Sequence, residues 1–232
     1  MTLEGHAGIR PGRFPPSFAS YGHQPSLPIL LPGRHSFCLP RRPLARYSTG
    51  VMKHHLVSPE HPALREKARP LTQEEIGSTY VRQLIADMRE ILSGEKLGVA
   101  IAAPQVGEAV QLFVVSGKVF LDAEGETEAE AAIPEDTVYI NPRITKYSRK
   151  REDLHEGCLT LPGWWGMVPR ASQVRLAYTD TDGKEQERGA SGLLAHIFQH
   201  ECDHLHGVIY TDKAHDLYEE VDEPTEAPAN HE

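Results

Sequence analysis

The run His200-Glu201-Cys202-Asp203-His204 constrains this chain more than any other. On a helix, i and i+4 share a face, so two imidazoles four residues apart can reach one cation. The preceding residues agree: Leu193, Leu194, Ile197 and Phe198 recur at helical spacing and give the segment an apolar side to bury. A helix is therefore expected from about Ser191 to His206. Glu201, between the two histidines, stands beside any water held there and can act as its general base. On a helix this HExxH pattern points to metal-assisted attack of water on a carbonyl carbon. One histidine alone would be an ordinary surface or core residue; two flanking a glutamate on an apolar helix are harder to explain that way. Cys202 falls at a position the pattern leaves free and is read as a small buried hydrophobe.

A catalytic site of this kind needs a third protein ligand and an open position. Downstream of the helix the choices are poor. Glu219 and Glu220 lie in an acidic tail, and His206 is two residues past His204 and faces elsewhere. Upstream, Glu156-Gly157-Cys158-Leu159-Thr160 presents a cysteine in a short extended stretch bounded by glycine. Thiolate is a strong ligand for divalent transition metals. A third run, Gly98-Val99-Ala100-Ile101-Ala102-Ala103-Pro104-Gln105, is rich in small residues and ends in an amide. Alone it reads as a tight turn packed against a helix.

The rest of the chain frames these three runs. Thr72 and Glu75 form a capping-box pattern, and Ile76, Tyr80, Leu84, Met88 and Ile91 follow at helical spacing, so one helix is expected to end near Ser93-Gly94. Val110–Ser116, Thr137–Pro142, Ile144–Ser148 and Val174–Thr179 read as strands, the last followed by an Asp182-Gly183 hairpin turn. Residues 122–136 are acidic and alanine-rich and read as a solvated loop. Short strands clustered between an early and a late helix, without βαβ alternation, predict an α+β fold. In it, small antiparallel or mixed strands surround the C-terminal HExxH helix.

Residues 1–51 differ from the remainder. They hold six arginines and one acid, Glu4, for a charge of +5; the whole chain is −9, so the remainder carries −14. Their proline, arginine and serine content with no periodicity predicts a disordered extension. It fits an organelle transit peptide and an over-long reading frame before Met52 equally well. The organisation expected is thus 1–51 extension, 52–217 catalytic domain and 218–232 acidic tail. The acidic body argues against nucleic acid as the main partner. Three sparse cysteines argue against a disulfide framework, and no apolar run spans a bilayer. A cytoplasmic setting is favoured, with a mitochondrial or plastid matrix as the alternative if the extension is a transit peptide.

Taken together and in this order, the three runs resemble the peptide deformylase family. The resemblance covers roughly His54 to Leu217, and Val168-Pro169-Arg170 and Leu205–Asp212 fit the same family's continuation. It implies that Cys158, His200 and His204 hold a metal ion with water in the fourth position, and that Glu201 is general base and then proton donor to the leaving amine. It implies an oxyanion hole from the Gln105 amide and the Leu159 backbone N–H. Gly98, Val99, Ala100 and Gly157 are then expected to line the groove where substrate backbone pairs as an added strand. His196 and Ile197 are expected to line the pocket for the first side chain, normally methionine. The activity implied is removal of the N-formyl group from formylmethionyl nascent polypeptides with release of formate. The family's ion is ferrous iron, with zinc, nickel or cobalt as substitutes. Transient association with the ribosome is compatible with that activity, though not through the acidic tail. Two other classes fit less well: a zincin endopeptidase lacks its downstream ligand here, and a non-catalytic binder has no use for Glu201 and Gln105.

Four departures from the family pattern stand out. Ala100 replaces a glycine, Thr160 a serine, His196 is polar for a methionine pocket, and Gly163-Trp164-Trp165-Gly166 is aromatic. The tryptophans are assigned to surface or lid packing, with cover over the substrate's second or third residue as the alternative. Glu156 and Arg170 are expected to form a buried ion pair that holds the cysteine strand.

Overall fold

Alternation along one short strand organises the molecule. In β2 (Leu112–Val115) every residue is buried, yet the side chains divide between two cores. Leu112 and Val114 face one cluster, and Phe113 and Val115 face the other. Successive strand residues point to opposite faces, so an unbroken apolar run signals a strand covered on both sides. The structure, a computed structural model, describes residues 53–120 and 134–220. The extension before Lys53, most of the acidic loop and the tail beyond Glu220 lie outside the described residues.

The first face is covered by α2 (Thr79–Gly94), which buries Val81, Leu84, Ile85, Met88 and Leu92 against the sheet. The second is covered by α3 (Gly192–Leu205) through Ala195, Phe198, Cys202 and Leu205. Phe113 and Tyr139 stack at 4.8 Å between ring centres, and the Phe198 ring meets Tyr139 edge-on at 4.9 Å. These contacts fix the rotation of α3, and with it the direction of its histidines.

The sheet between the helices has the order β1-β2-β3-β6-β7, all antiparallel, where β1 is Ala100–Ala102, β3 Thr137–Tyr147, β6 Gln173–Thr179 and β7 Glu185–Ser191. A second antiparallel sheet, β4-β5-β8, is built from Arg151–Cys158, Leu161–Ala171 and His215–Glu219. The architecture is α+β, as expected. No helix of the described residues is long and apolar enough to cross a membrane.

Several elements differ from expectation. The single early helix is two. The Thr72 capping box forms in full but opens only α1 (Gln73–Ile76), and Ser78 starts α2 afresh by accepting from the Val81 N–H at 3.2 Å. A serine at this point competes with the helical backbone and favours a new N-cap, worth about 1 kcal/mol. The two strands expected around Pro142 are one, β3, whose register shifts there. Asn141 adopts φ 49° at the irregularity, and its side chain bonds both Leu71 N–H and Leu71 C=O at 2.8 Å. Trp164 and Trp165 belong to β5 and are paired on the sheet; they are not in a lid. Tyr218 and Glu219, expected to open the tail, pair with β5 as part of β8.

Candidate metal centre

Cys158 ends β4, and the chain turns at Leu159-Thr160 into β5. His200 and His204 project from α3, with rings 4.9 Å apart. One ligand atom from each of Cys158, His200 and His204 lies within 4.8 Å of the others. One sulfur and two imidazole nitrogens on one face suit a divalent transition metal. The remaining protonation chemistry favours this use. Burial opposes ionisation of the Cys158 thiol, but the pull of His204 and bonds from both histidines outweigh it and hold its pKa well below the ordinary value. Thiolate is the ligating form. Its sulfur also lies 3.3 Å from Gln105 Nε2 and 3.1 Å from Thr160 Oγ1.

Behind His200 stands a charged relay. Its Nδ1 lies 2.9 Å from Glu156 Oε2. Glu156 accepts from Arg170 Nε and Nη2 at 2.7 and 2.8 Å, and Arg170 Nη1 donates to Asp203 at 2.6 Å. The expected Glu156–Arg170 pair is therefore present and buried, and it reaches the candidate ligand His200 directly. Burial would push Glu156 up, but its bonds to Arg170 and His200, with His196 nearby at 3.8 Å, hold it far below the usual carboxylate range. A carboxylate on the outer nitrogen fixes a ligating imidazole's tautomer and orientation.

Glu201 is 4% exposed and follows His200 directly on α3. Burial pushes its pKa up to about 7 against the nearby His200 and His204. Among the described residues, the buried side-chain polar atoms without partners are His196 Nδ1 and Nε2, Glu201 Oε2 and His204 Nδ1. All belong to α3 at this one place. Buried polar groups are normally satisfied, so such a concentration marks a site that expects something else to bind. Gln105 is held differently: its Oε1 accepts from Ala102 N–H at 2.8 Å, which aims the amide nitrogen at the Cys158 sulfur.

A cleft of about 640 Å³ opens onto these groups. Gly98, Val99, Ala100, Gln105, Gly157, Cys158, Leu159, His196, Ile197, His200 and Glu201 all line it. His204 is fully buried beneath. All residues singled out from sequence are thus brought together. Sequence reasoning missed Leu97 and Leu154, 76% and 36% exposed on the same cleft, and it placed Leu193 on the buried side of the helix, whereas Leu193 stays 55% exposed on the cleft rim at the first turn of α3. It also missed Glu220, whose carboxylate accepts from Trp165 Nε1 at 2.8 Å and so ties the last described residue to the cleft wall. No local pattern signals that contact, because its partners are 55 residues apart. Trp165 lies over Gly157, where a β-carbon would come within 3.1 Å of the ring.

The comparisons with known proteins agree on one identity. A family model described as polypeptide deformylase matches residues 53–220. A peptide deformylase of Roseiflexus castenholzii is 44% identical over 139 residues, covering 59% of this chain and 75% of that protein. One from a Roseiflexus species is 42% identical over 154 residues, covering 63% and 83%. Among solved structures, a peptide deformylase of Synechococcus elongatus in complex with actinonin superposes with a TM-score of 0.58 at 33% identity, over 70% of this chain and 79% of that one. That of Thermotoga maritima gives 0.59 at 29%, over 71% and 99%. The family match runs through both sheets and both long helices, and the protein belongs to the peptide deformylase family, metal-dependent enzymes that remove the N-formyl group from nascent polypeptides.

Proposed function

We propose that Cys158, His200 and His204 hold the metal ion of this deformylase, that Glu201 handles the protons, and that Gln105 and the Leu159 backbone N–H receive the developing oxyanion. The observation that supports this most is the placement of an unpaired buried Glu201 oxygen beside ligands whose donor atoms lie within 4.8 Å. When bound there, a divalent ion polarises a carbonyl oxygen and brings the pKa of water to near neutrality. Glu201 takes the proton from the attacking water and returns it to the amine that leaves. The amide of Gln105, fixed by Ala102 N–H, stands ready as a preorganised donor, and one such donor is worth about 3–4 kcal/mol. The groove walls formed by Gly98, Val99, Ala100 and Gly157 seat the peptide backbone, while His196 and Ile197 bound the first side chain. Ferrous iron is the ion proposed, with zinc, nickel or cobalt as substitutes; the soft thiolate in the donor set supports a transition metal over magnesium or calcium.

The same proposal places the protein in the cytoplasm, where the buried, unpaired thiols Cys158 and Cys202 stay reduced. Any contact with the ribosome is transient and does not use residues 213–232, which are net negative.

Formate release from a formyl-Met tripeptide by the iron-loaded chain, prepared without oxygen, tests the roles. Glu201→Ala is expected to keep the metal and lose turnover. Cys158→Ser is expected to lose the metal itself. Turnover that survives in Glu201→Ala would remove that residue from the mechanism.

A further inference from the structure

A second cavity, of about 820 Å³, opens on another stripe of α3, past Gln199, Cys202 and Asp203. Its lining holds Lys67, Arg143, Arg151, Arg170 and Lys213 against the single carboxylate Asp203. That is the reverse of the chain as a whole, which has 33 acids and 24 lysines and arginines. Asp203 is already engaged by Arg170 and by Lys213 at 2.6 Å. Lys67 and Arg143 have no partner among the described residues. Arg151 gives one bond, to the Pro169 carbonyl at 3.2 Å, and keeps its other donors. These cations come from three separate segments: the stretch before α1, the middle of β3 and the start of β4. Scattered surface lysines and arginines normally alternate with acids; here uncompensated cations converge on one concavity of ligand size. Low-dielectric walls of one charge focus the potential within, whatever the net charge outside. Tyr147 completes the lining, 55% exposed on rigid β3.

We propose that this cavity binds a phosphate-bearing ligand of nucleotide size, with phosphates on Lys67, Arg143 and Arg151 and a planar base against Tyr147. Arginine and lysine together suit phosphate, the first as a fork and the second as a point charge. An aromatic face accepts any base by stacking. The ligand is a free nucleotide or a nucleotide within an RNA strand, and the chemistry at the cavity is the same for both. The proposal does not depend on the roles assigned at the metal centre.

The test uses the full metal-loaded chain, titrated with adenosine diphosphate and separately with a short single-stranded RNA. Binding of at least one probe is expected to saturate and to weaken about tenfold or more in Lys67→Glu/Arg143→Glu. For RNA, the slope of log affinity against log salt should fall by about 0.7 for each phosphate no longer neutralised. A control with the same change of net charge elsewhere, Lys53→Glu/Lys184→Glu, should bind as the parent does. Deformylation of a short formyl peptide and the melting temperature should be unchanged in the cavity variant, since neither residue touches the cleft. RNA binding without nucleotide binding assigns the site to a strand; nucleotide binding assigns it to a free or terminal nucleotide. No saturable binding of either probe would overturn the proposal, and so would equal weakening in the control variant.

Discussion

Removing Glu156 should cost both stability and metal affinity, and the two losses can be sized separately. In Glu156→Ala the Arg170 guanidinium, 3% exposed, loses its bonds at 2.7 and 2.8 Å and keeps only Asp203 at 2.6 Å. Breaking a buried pair from one side typically costs about 3–5 kcal/mol because a charge is left behind. Asp203 still neutralises part of that charge, which places the expected loss near the lower end, about 3 kcal/mol. A domain of this size loses about 2–4 °C per kcal/mol, so the melting temperature should fall by about 6–12 °C. Independently, His200 Nδ1 loses its carboxylate at 2.9 Å. Removal of such a partner typically weakens metal binding about 10- to 100-fold. Calorimetry of the metal-loaded chain reads the first effect, and chelator competition reads the second. Glu156→Gln serves as the intermediate case, since it keeps an acceptor oxygen for His200 and loses the charge facing Arg170. A melting temperature within about 2 °C of the parent together with unchanged metal affinity would refute the relay.

Gln105→Ala should lower kcat by about 10²–10³ in the formate assay, as expected for one missing oxyanion donor; an undiminished kcat would exclude that role. Gly98→Ala should destabilise by about 1–3 kcal/mol in denaturant unfolding. Its new β-carbon would lie 2.7 Å from Glu95 Cβ and 3.2 Å from Leu92 Cδ1, and unchanged stability would mean that this segment yields freely. Asp87→Asn gives a pH-dependent effect. Burial opposes the Asp87 charge, but bonds from the His54 backbone and ring and from Gln83 outweigh it and hold its pKa below the ordinary value. The advantage of the parent, about 1–3 kcal/mol, should be full above about pH 4 and vanish as pH falls through the lower folded value. A stability gap that stays constant into acid would rule this out.

The convergence of the candidate site residues was legible in sequence because their spacing is local. Two histidines at i, i+4 need only one helix, and Gln105 is aimed by a bond three residues away. The doubly buried β2 was equally readable from its unbroken apolar run. What failed was either competition between near-equal local choices or contact over distance. The Thr72 box and the Ser78 cap are both valid helix starts, and periodicity alone could not say that both are used. The edge strand β7, Glu185-Gln-Glu-Arg-Gly-Ala-Ser191, is mostly exposed and its one apolar side chain packed on the core is Ala190, so it offered almost no apolar signal beyond the turn before it. The β4–β5 hairpin was visible only around Cys158, since its outer half alternates weakly. The Trp165–Glu220 tie and the cation-lined cavity arise from segments far apart in the chain.

The two sources of the proposed ligands have a consequence for the molecule's mechanics. Cys158 belongs to the three-stranded sheet, while His200 and His204 ride on the helix that packs against the five-stranded one. Cys158 and His204 are 46 residues apart in sequence. An ion held as proposed by Cys158, His200 and His204 would act as a removable cross-link between two halves of the fold. A covalent bridge closing a loop of that length would restrict the unfolded chain by about 4 kcal/mol. Stripping the metal should then loosen the β4–β5 hairpin well before the rest, so that chelation gives faster amide exchange there while β2 and β3 stay protected.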